Sequence, residues 1–530
     1  MAAPFTSSRI RRVKCDETKP QCKKCTSSKR VCDGYLSEKN IMTRRELVEV
    51  VRGLNVVGPV SRALTQSPSS SNPHSRPVSP NDTVYFNLFR HVTVPSTCDI
   101  FPSSFWQENV MQMAHIEPAV WHATIALGTL HQRANALTLN KMNDGMALTR
   151  RAVAHYGKAM ALARDLDCPT KVVTLSIMLV AAANMLERWS EMQTHVMAGL
   201  RIATQDAPRL LTLEALRGSL MRLDLQAMTF SDSTSPYPYE ESSSIYAVDQ
   251  FLMTPCVQGV SYEEMSSELL GISRAFFLLD DGLLSGNVTH GPWLTKFDSF
   301  LRRLALWESR MASFEIAHES TDSDQTTVLS LRLYHVTLRT MIRAASFGPE
   351  TRYDELLGYF EHIVRLAATL QARMSTGGAL SLSLEPGLII PLWVTIHRCR
   401  HYRLRHAALK ILADSNRVEG MWRSDAAAAM METLVAVEEE SLGPVNVDIY
   451  TPVLLDPFIP VHWTAWSNPA FCPPTTLDWS HVPTIPDEDR VKDLLGTTSL
   501  SERRVEVRLL MCPSNNLDPY GPVREVTVRF

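Results

Sequence analysis

The sequence is poor in cysteine and has no long uninterrupted apolar segment. Its 530 residues include only 10 cysteines, too few for the disulfide framework of a small secreted protein. Six of them are isolated along the chain and are expected to be small buried hydrophobes. The longest apolar stretch, residues 172–186, is broken by polar side chains and is shorter than the roughly 20 residues that cross a bilayer. The first residues also lack the apolar core of a secretory signal. We therefore expect no membrane contact and a reducing compartment.

A strong excess of one charge sign is also missing, but the charge is unevenly distributed. The formal net charge is -3, whereas residues 1–40 contain ten Lys and Arg against four Asp and Glu. Hydrophobic residues make up 45% and charged residues 21%, which is typical of a globular protein. A basic start on an acidic remainder favours a polyanionic partner for the first 40 residues.

Composition divides the chain into three predicted parts. Between residues 65 and 80, six Ser and four Pro form a segment that buries too little apolar surface to fold, and we interpret it as a linker. Before it, Thr43 and Glu46 have the spacing of a capping box and begin a predicted short helix. The predicted organisation is a basic cysteine module, a short helix with the linker, and a large helical domain, at residues 1–40, 41–83 and 84–530.

The fold class predicted for the body is all-α, because apolar residues recur at helical spacing. Alternation typical of strands occurs only near the end, in residues 504–509 and 523–530, where we expect a small hairpin. Helices are predicted over residues 118–137, 146–166, 170–187, 189–203, 209–229, 262–284, 292–315, 326–346, 352–374, 386–412 and 425–440.

Four of the ten cysteines lie within 18 residues of one another in the basic start. The segment 9–35 reads RIRRVKCDETKPQCKKCTSSKRVCDGY, with the cysteine spacing C-x6-C-x2-C-x6-C. Thiolates bind Zn²⁺ tetrahedrally, and a C-x2-C pair can hold one ion from two sides. Surrounding Lys and Arg side chains supply phosphate contacts. The predicted metal ligands are Cys15, Cys22, Cys25 and Cys32, and the predicted cofactor is Zn²⁺.

This segment resembles the Zn2Cys6 binuclear cluster of fungal transcription regulators, whose pattern is C-x2-C-x6-C-x5-12-C-x2-C-x6-8-C. The four cysteines occupy the third to sixth positions of that pattern, and Pro20 matches its loop proline. The resemblance implies that a basic helix enters the major groove of double-stranded DNA and reads CGG-type half-sites. It assigns base contacts to Arg11, Arg12 and Lys14, and phosphate contacts to Arg9, Lys23 and Lys24.

The sequence departs from the family pattern at its first two cysteines. Counted back from Cys15, those positions hold Phe5 and Ser8. In the family the first cysteine bridges both metals, so neither zinc would have its usual four ligands. Three explanations stay open: the four thiolates bind a single zinc, the module is degenerate, or the native chain begins differently from the sequence given. We favour the third because the rest of the module is intact.

The start of the body is also similar to the regulatory domain that follows this cluster in fungal regulators. The similar segments are 101–106, 115–131, 155–160 and 195–201, and the likeness covers roughly residues 84–203. We interpret these residues as helix-packing positions.

Candidate enzyme sites find no support in the sequence. Asp280 and Asp281 resemble the start of an aspartate-rich metal box, but no second box follows and a solvated helix end is favoured. His115, His122 and His131 are interpreted as ordinary packing or polar histidines, because Pro118 interrupts the helix between the first two. The run at 438–440, three glutamates, is interpreted as a solvated face, with a transcriptional contact surface as the alternative.

The predicted function is that of a nuclear, sequence-specific, zinc-dependent DNA-binding transcription regulator. The resemblance implies transcription by RNA polymerase II, contact with the transcription machinery, a homodimer and control of a gene cluster for secondary metabolites or nutrient use. The alternative is a helical interaction or effector-binding protein whose degenerate module no longer binds DNA.

Overall fold

The computed structural model describes the chain from Ser79 onward with several gaps. Every described residue belongs to the second of two compact units, which covers Val78–Phe530. The described ranges are 79–139, 141–205, 214–230, 248–249, 251–252, 261–284, 290–318, 321–344, 348–374, 380–442, 460–468, 470–480, 482–499, 502–513 and 521–530.

The first half of the described chain is helical. A π-helical turn, Phe89–Thr93, joins α1 to α2, and a second one, Phe105–Asn109, precedes α3. Gly128 lets α1 approach α4 closely, since a Cβ there would overlap the carbonyl oxygen of Tyr85. The helices are α1 (Pro80–Leu88), α2 (Val94–Thr97), α3 (Val110–Ile116), α4 (Pro118–Thr138), α5 (Met142–Leu162), α6 (Pro169–Met185) and α7 (Trp189–Gln205).

The second half adds more helices and two small sheets. The helices are α8 (Glu214–Thr229), α9 (Tyr262–Leu284), α10 (His290–Ala317), α11 (Asp322–Ala344), α12 (Leu357–Met374), α13 (Ile389–Arg398), α14 (Tyr402–Asp414) and α15 (Ser424–Glu439). The strands are β1 (Ser381–Ser383), β2 (Arg417–Glu419), β3 (Trp422–Arg423), β4 (Val491–Ser499), β5 (Arg504–Met511) and β6 (Val523–Arg529).

Each sheet has three strands. In the first, β1 runs parallel to β2, and β2 and β3 form an antiparallel hairpin with Glu419 opposite Trp422. In the second, β5 lies between β4 and β6, and both pairings are antiparallel. The predicted pairing of 504–509 with 523–530 is confirmed, with Val505 opposite Val528. The prediction missed β4, because its sequence VKDLLGTTS does not alternate between apolar and polar residues.

Buried apolar residues of the described chain form one large cluster, a second, aromatic-rich one, and a small third one of Val248, Leu278 and Leu279. The large cluster includes most of α4 and α6 and residues of α12, α13 and α15. The second lies among α9, α10 and α11, where the buried Trp307 and Trp463 rings meet edge to face at 5.2 Å. The all-α prediction for the body is confirmed as a mostly helical architecture, with the small sheets as additions.

Most helix bounds lie within two residues of the predictions, but α5 lies four residues earlier than predicted at both ends, α11 begins four residues earlier, and α8 and α12 each begin five residues later. Residues 262–284 were predicted as one helix and form α9 with the same bounds. One predicted helix is interrupted. Residues 386–412 were also predicted as one helix, which is wrong. The chain leaves the helix at Cys399, whose ψ is 121°, and resumes at Tyr402. This break places Arg400 in the interior, where it pairs with buried carboxylates.

Candidate functional site

All the residues to which the sequence assigned zinc and DNA contacts precede the described part of the chain. The structure therefore neither brings them together nor separates them. The capping-box helix and nearly all of the Ser/Pro segment also lie outside the described residues, and α1 begins at Pro80. The residues concerned are Cys15, Cys22, Cys25, Cys32, Arg9, Arg11, Arg12, Lys14, Lys23 and Lys24.

Cysteines elsewhere were expected to be small buried hydrophobes, and this holds only in part. Cys399 and Cys512 are buried, and burial raises the pKa of each thiol to about 12. Cys98 and Cys168 are half-buried. Cys472 is exposed, so the expectation is wrong there. Within the described ranges, no three His, Cys, Asp or Glu side chains come together as a metal site.

The three histidines, predicted to be polar or packing residues, differ in exposure: His115 is exposed, His122 is half-buried and His131 is buried. Pro118 begins α4 after α3 has ended at Ile116, so the interruption between His115 and His122 is confirmed. The Nδ1 atoms of His122 and His155 lie 3.0 Å apart, and His131 Nδ1 lies 3.0 Å from Thr93 Oγ1.

The described chain contains a pocket between the helical half and the β2–β3 hairpin. It measures about 820 Å³, counted with the part that opens to solvent. Residues from α4, α6 and α7 form one side, and β2, β3 and α15 form the other. The lining residues are Leu130, Arg133, Ala134, Leu137, Asn184, Met185, Trp189, Phe230, Trp393, Val418, Gly420, Met421, Trp422, Arg423, Ala426, Ala427, Met430 and Thr498.

Four aromatic side chains of this lining form a continuous row. The ring centroids of Trp189 and Phe230 are 5.1 Å apart, and Phe230 meets Trp422 edge to face at 5.2 Å. Trp422 in turn lies 4.9 Å from Trp393. The row gives the pocket a largely aromatic wall suited to flat apolar molecules.

Two polar groups in the wall have no hydrogen-bond partner among the described residues. The Asn184 side chain is near the end of α6 and is only 2% exposed, yet neither its amide nitrogen nor its amide oxygen is paired. The indole N–H of Trp422, which is 4% exposed, is unpaired as well. Buried polar groups are nearly always paired, so the unpaired acceptor and the two kinds of unpaired donor of these two lining residues are exceptions.

The two cations of the lining are both engaged by the protein. Arg133 donates to the carbonyl oxygen of Met185 at 2.8 Å and pairs with Glu187 at 3.3 Å. Arg423 makes two bonds to the carboxylate of Asp425, at 3.0 and 2.6 Å. The charge of the pocket is therefore compensated from outside it.

The β2–β3 turn that closes the pocket requires glycine. Gly420 has a φ of 56°, and a Cβ there would overlap the side chain of Gln226. Gln226 donates to the carbonyl oxygen of Glu419 at 2.7 Å, which ties α8 to the hairpin. The left-handed conformation and the close approach together exclude a larger residue without movement.

Glu419 attaches the same hairpin to α13. Its fully buried carboxylate accepts the backbone N–H groups of Gly387, Leu388 and Ile389 at 2.8–3.0 Å, and the Arg417 side chain at 2.8 Å. A carboxylate at a helix N-terminus satisfies otherwise unpaired donors and complements the helix dipole. This cap fixes α13, which carries Trp393 into the pocket wall.

A second buried carboxylate connects the start of the domain to its centre. Glu385 pairs with Arg222 of α8 at 2.8 Å, and the side chains are 1% and 0% exposed. It also accepts the indole N–H of Trp106 at 2.7 Å. Trp106 belongs to the segment that the sequence marked by resemblance, and its role in packing is confirmed.

The glutamate run at the end of α15 differs from both interpretations for its first member. Glu438 is fully buried between Arg400 and Arg405, at 2.9 and 2.6 Å, so it is neither a solvated nor a contact residue. Burial alone raises the pKa of Glu438, but the two guanidinium groups outweigh it and lower the pKa below the ordinary value. Glu440 is exposed and pairs with Arg524.

Sequence patterns could not have identified the pocket. Its lining is scattered over residues 130–498, and no local spacing connects them. The one visible signal was Asn184, a polar residue inside the longest apolar stretch.

Comparison with known proteins identifies the family to which the chain belongs. Residues 84–424 match the family described as the fungal specific transcription factor domain. This match covers well over half of the chain, so the chain belongs to that family, and it is a transcription regulator of the fungal type. The resemblance predicted for residues 84–203 is confirmed and extends much further.

Two relatives have names that agree with the family. The chain is 32% identical over 130 residues to the transcription regulator lscL of Purpureocillium lilacinum, covering 24% of this chain and 28% of that protein. It is 18% identical over 550 aligned positions to the aspercryptin biosynthesis cluster-specific transcription regulator atnN of Emericella nidulans, covering 82% of this chain and 87% of the relative. No solved structure matches the chain.

The hydropathy of the helices bears on whether any of them could cross a membrane. Among the described residues, no helix combines the length and the apolar character needed to span a bilayer.

Proposed function

We propose that the protein regulates transcription by binding specific DNA sequences through a zinc-dependent module at residues 1–40. The observation that carries the proposal is the order of two features along one chain. A basic segment with four closely spaced cysteines precedes a domain of the fungal specific transcription factor family. Zinc would hold the cysteine segment rigid, because such small modules gain their folding free energy from the metal.

The proposed contacts are those assigned by resemblance. Cys15, Cys22, Cys25 and Cys32 hold zinc, and Arg11, Arg12 and Lys14 read bases in CGG-type half-sites. Arg9, Lys23 and Lys24 hold phosphates. The protein acts in the nucleus as a homodimer on double-stranded DNA, with the RNA polymerase II machinery as its further partner.

The proposed target is a biosynthetic gene cluster. The relative that aligns over 82% of the chain is named as a cluster-specific regulator of biosynthesis, and this name supports the same class of target here.

The pocket supports a second candidate, a helical effector-binding protein whose degenerate module has lost DNA binding. Phe5 and Ser8 at the first two cluster positions are compatible with this candidate. Zinc content separates the possibilities: the regulator contains bound zinc that the Cys22→Ser variant loses, whereas Cys472→Ser keeps it. Cys472 is an exposed thiol in the helical domain and serves as the matched control. A chain without zinc contradicts the proposal.

DNA binding is tested by anisotropy titrations over a salt series. Lys23→Ala should weaken binding to all duplexes and reduce the slope of log K against log salt by about one. Lys14→Ala should cost about 1–3 kcal/mol on the preferred site only. Lys410→Ala, whose side chain is exposed on α14, is the control and should change neither quantity. Equal losses on random and selected DNA for Lys14→Ala would contradict its base-reading role.

A further inference from the structure

We propose that the pocket between α4, α6, α7 and the β2–β3 hairpin binds a neutral, flat aromatic molecule that carries a hydrogen-bond donor beside an acceptor, as a lactam does. That such a ligand acts as an effector of transcription rests on the proposed function, whereas its binding to the pocket does not.

The polar part of the ligand is indicated by Asn184. Its carboxamide presents an N–H donor and an oxygen acceptor side by side, and neither has a partner in the part of the chain that the structure describes, although the residue is 2% exposed. A lactam presents the complementary pair, so two parallel hydrogen bonds can form with one side chain. The unpaired indole N–H of Trp422 provides a further donor to a ligand carbonyl.

The flat apolar part is indicated by the aromatic row. Trp189, Phe230, Trp422 and Trp393 follow one another at centroid distances of 4.9–5.2 Å along the pocket wall. Aromatic rings favour offset-stacked or edge-to-face partners, so a fused bicyclic ring fits this wall better than a branched aliphatic chain does.

The two arginines of the pocket lining indicate that the ligand is neutral. Arg133 is held by the Met185 carbonyl and Glu187, and Arg423 makes a two-bond pair with Asp425. An anionic ligand would have to compete with these carboxylates, and a cationic one would face both guanidinium groups. A neutral molecule avoids both costs.

Calorimetric titration of the full chain with 2-quinolinone tests the proposal. This probe has a fused aromatic bicycle and a lactam, and 1-methyl-2-quinolinone is the matched ligand that lacks the N–H donor. We expect 2-quinolinone to bind and the methylated compound to bind at least about tenfold more weakly, because one hydrogen bond to Asn184 is lost.

Variants separate ligand recognition from structural support. Asn184→Leu should abolish the preference for 2-quinolinone while the free protein keeps or raises its Tm, because an unpaired buried amide is removed. Trp422→Phe keeps a ring but removes the N–H and should weaken binding less. Asn87→Leu, at an exposed position on α1, is the control and should bind as the parent chain does.

Three results would overturn the proposal. They are no binding of 2-quinolinone, equal binding of the methylated compound, and unchanged selectivity in Asn184→Leu. If Asn184→Leu fails to fold, the proposal is still tested by comparing the binding of the two ligands to the parent chain and to Trp422→Phe. The assay contains no DNA, so its outcome is independent of whether residues 1–40 read a duplex.

Discussion

Helix α6 and the segment from β1 to α15 stabilise the same core in different ways. Ten of the thirteen buried residues of α6 are apolar, and these ten belong to the large hydrophobic cluster. The β1–α15 segment instead buries three carboxylates, Glu385, Glu419 and Glu438, each fully enclosed and each paired with arginine. We infer that apolar burial holds α6 in place, whereas the ion pairs determine which segments of the later region meet.

The difference has an energetic basis. Apolar contacts are interchangeable among residues of similar volume, so a helix such as α6 tolerates conservative change. A buried charge without its partner costs several kcal/mol, so an ion pair excludes alternative arrangements more strongly than it adds stability. Glu438 joins α15 to Arg400 before α14 and accepts the backbone N–H of Val491 in β4, and so it connects three elements through one side chain.

The largest expected effect comes from breaking that junction. Glu438→Ala leaves Arg400 and Arg405 buried without their shared carboxylate, and we expect it to lower the free energy of unfolding by about 3–5 kcal/mol. Urea unfolding followed by circular dichroism measures the change. Glu440→Ala removes an exposed ion pair with Arg524 and should cost less than about 1 kcal/mol. Similar losses for the two variants would contradict the role given to the buried pair.

Acid should destabilise the domain through buried histidines outside these two regions. Burial lowers the pKa of His155 in α5 and of His362 in α12 to about 4. These histidines take up protons in the unfolded chain as the pH falls through about 6.5, whereas in the folded chain they do so only near 4. The free energy of unfolding is therefore unaffected by them above pH 6.5 and falls as the pH is lowered from 6.5 to 4.

Urea unfolding at pH 7 and pH 5 quantifies this effect. We expect each histidine to account for about 1–2 kcal/mol of lost stability over that interval, so His362→Gln should show a smaller loss than the parent chain does. A variant with the same pH dependence as the parent would show that His362 is already charged in the folded state.

The smallest expected effect tests the tolerance of α6. Ile177 is fully buried in that helix, and Ile177→Leu keeps its volume. We expect the free energy of unfolding to fall by less than about 1.5 kcal/mol in the same urea assay. A loss as large as that of Glu438→Ala would mean that α6 is as specifically fitted as the charged region.

This contrast also explains how far the sequence predicts the fold. Helical periodicity gave the bounds of α9 and came within two residues of both ends of α6, because their burial follows the local pattern. Helical periodicity failed at residues 399–401, where no Gly or Pro marks the break. The break instead serves a tertiary contact, because Arg400 pairs there with Glu438, 38 residues away. The pocket could not be predicted for the same reason, since its residues meet only through tertiary contacts.

The zinc and DNA residues are the opposite case, because their prediction depends only on spacing and charge in residues 1–40 and on what the resemblance to the Zn2Cys6 cluster implies. Selection of random DNA duplexes on the purified full chain, with and without a zinc chelator, tests it most directly. The account predicts enrichment of duplexes with CGG-type half-sites that disappears when the chelator is present. Absence of sequence enrichment in the presence of zinc, or enrichment that survives the chelator, would contradict it.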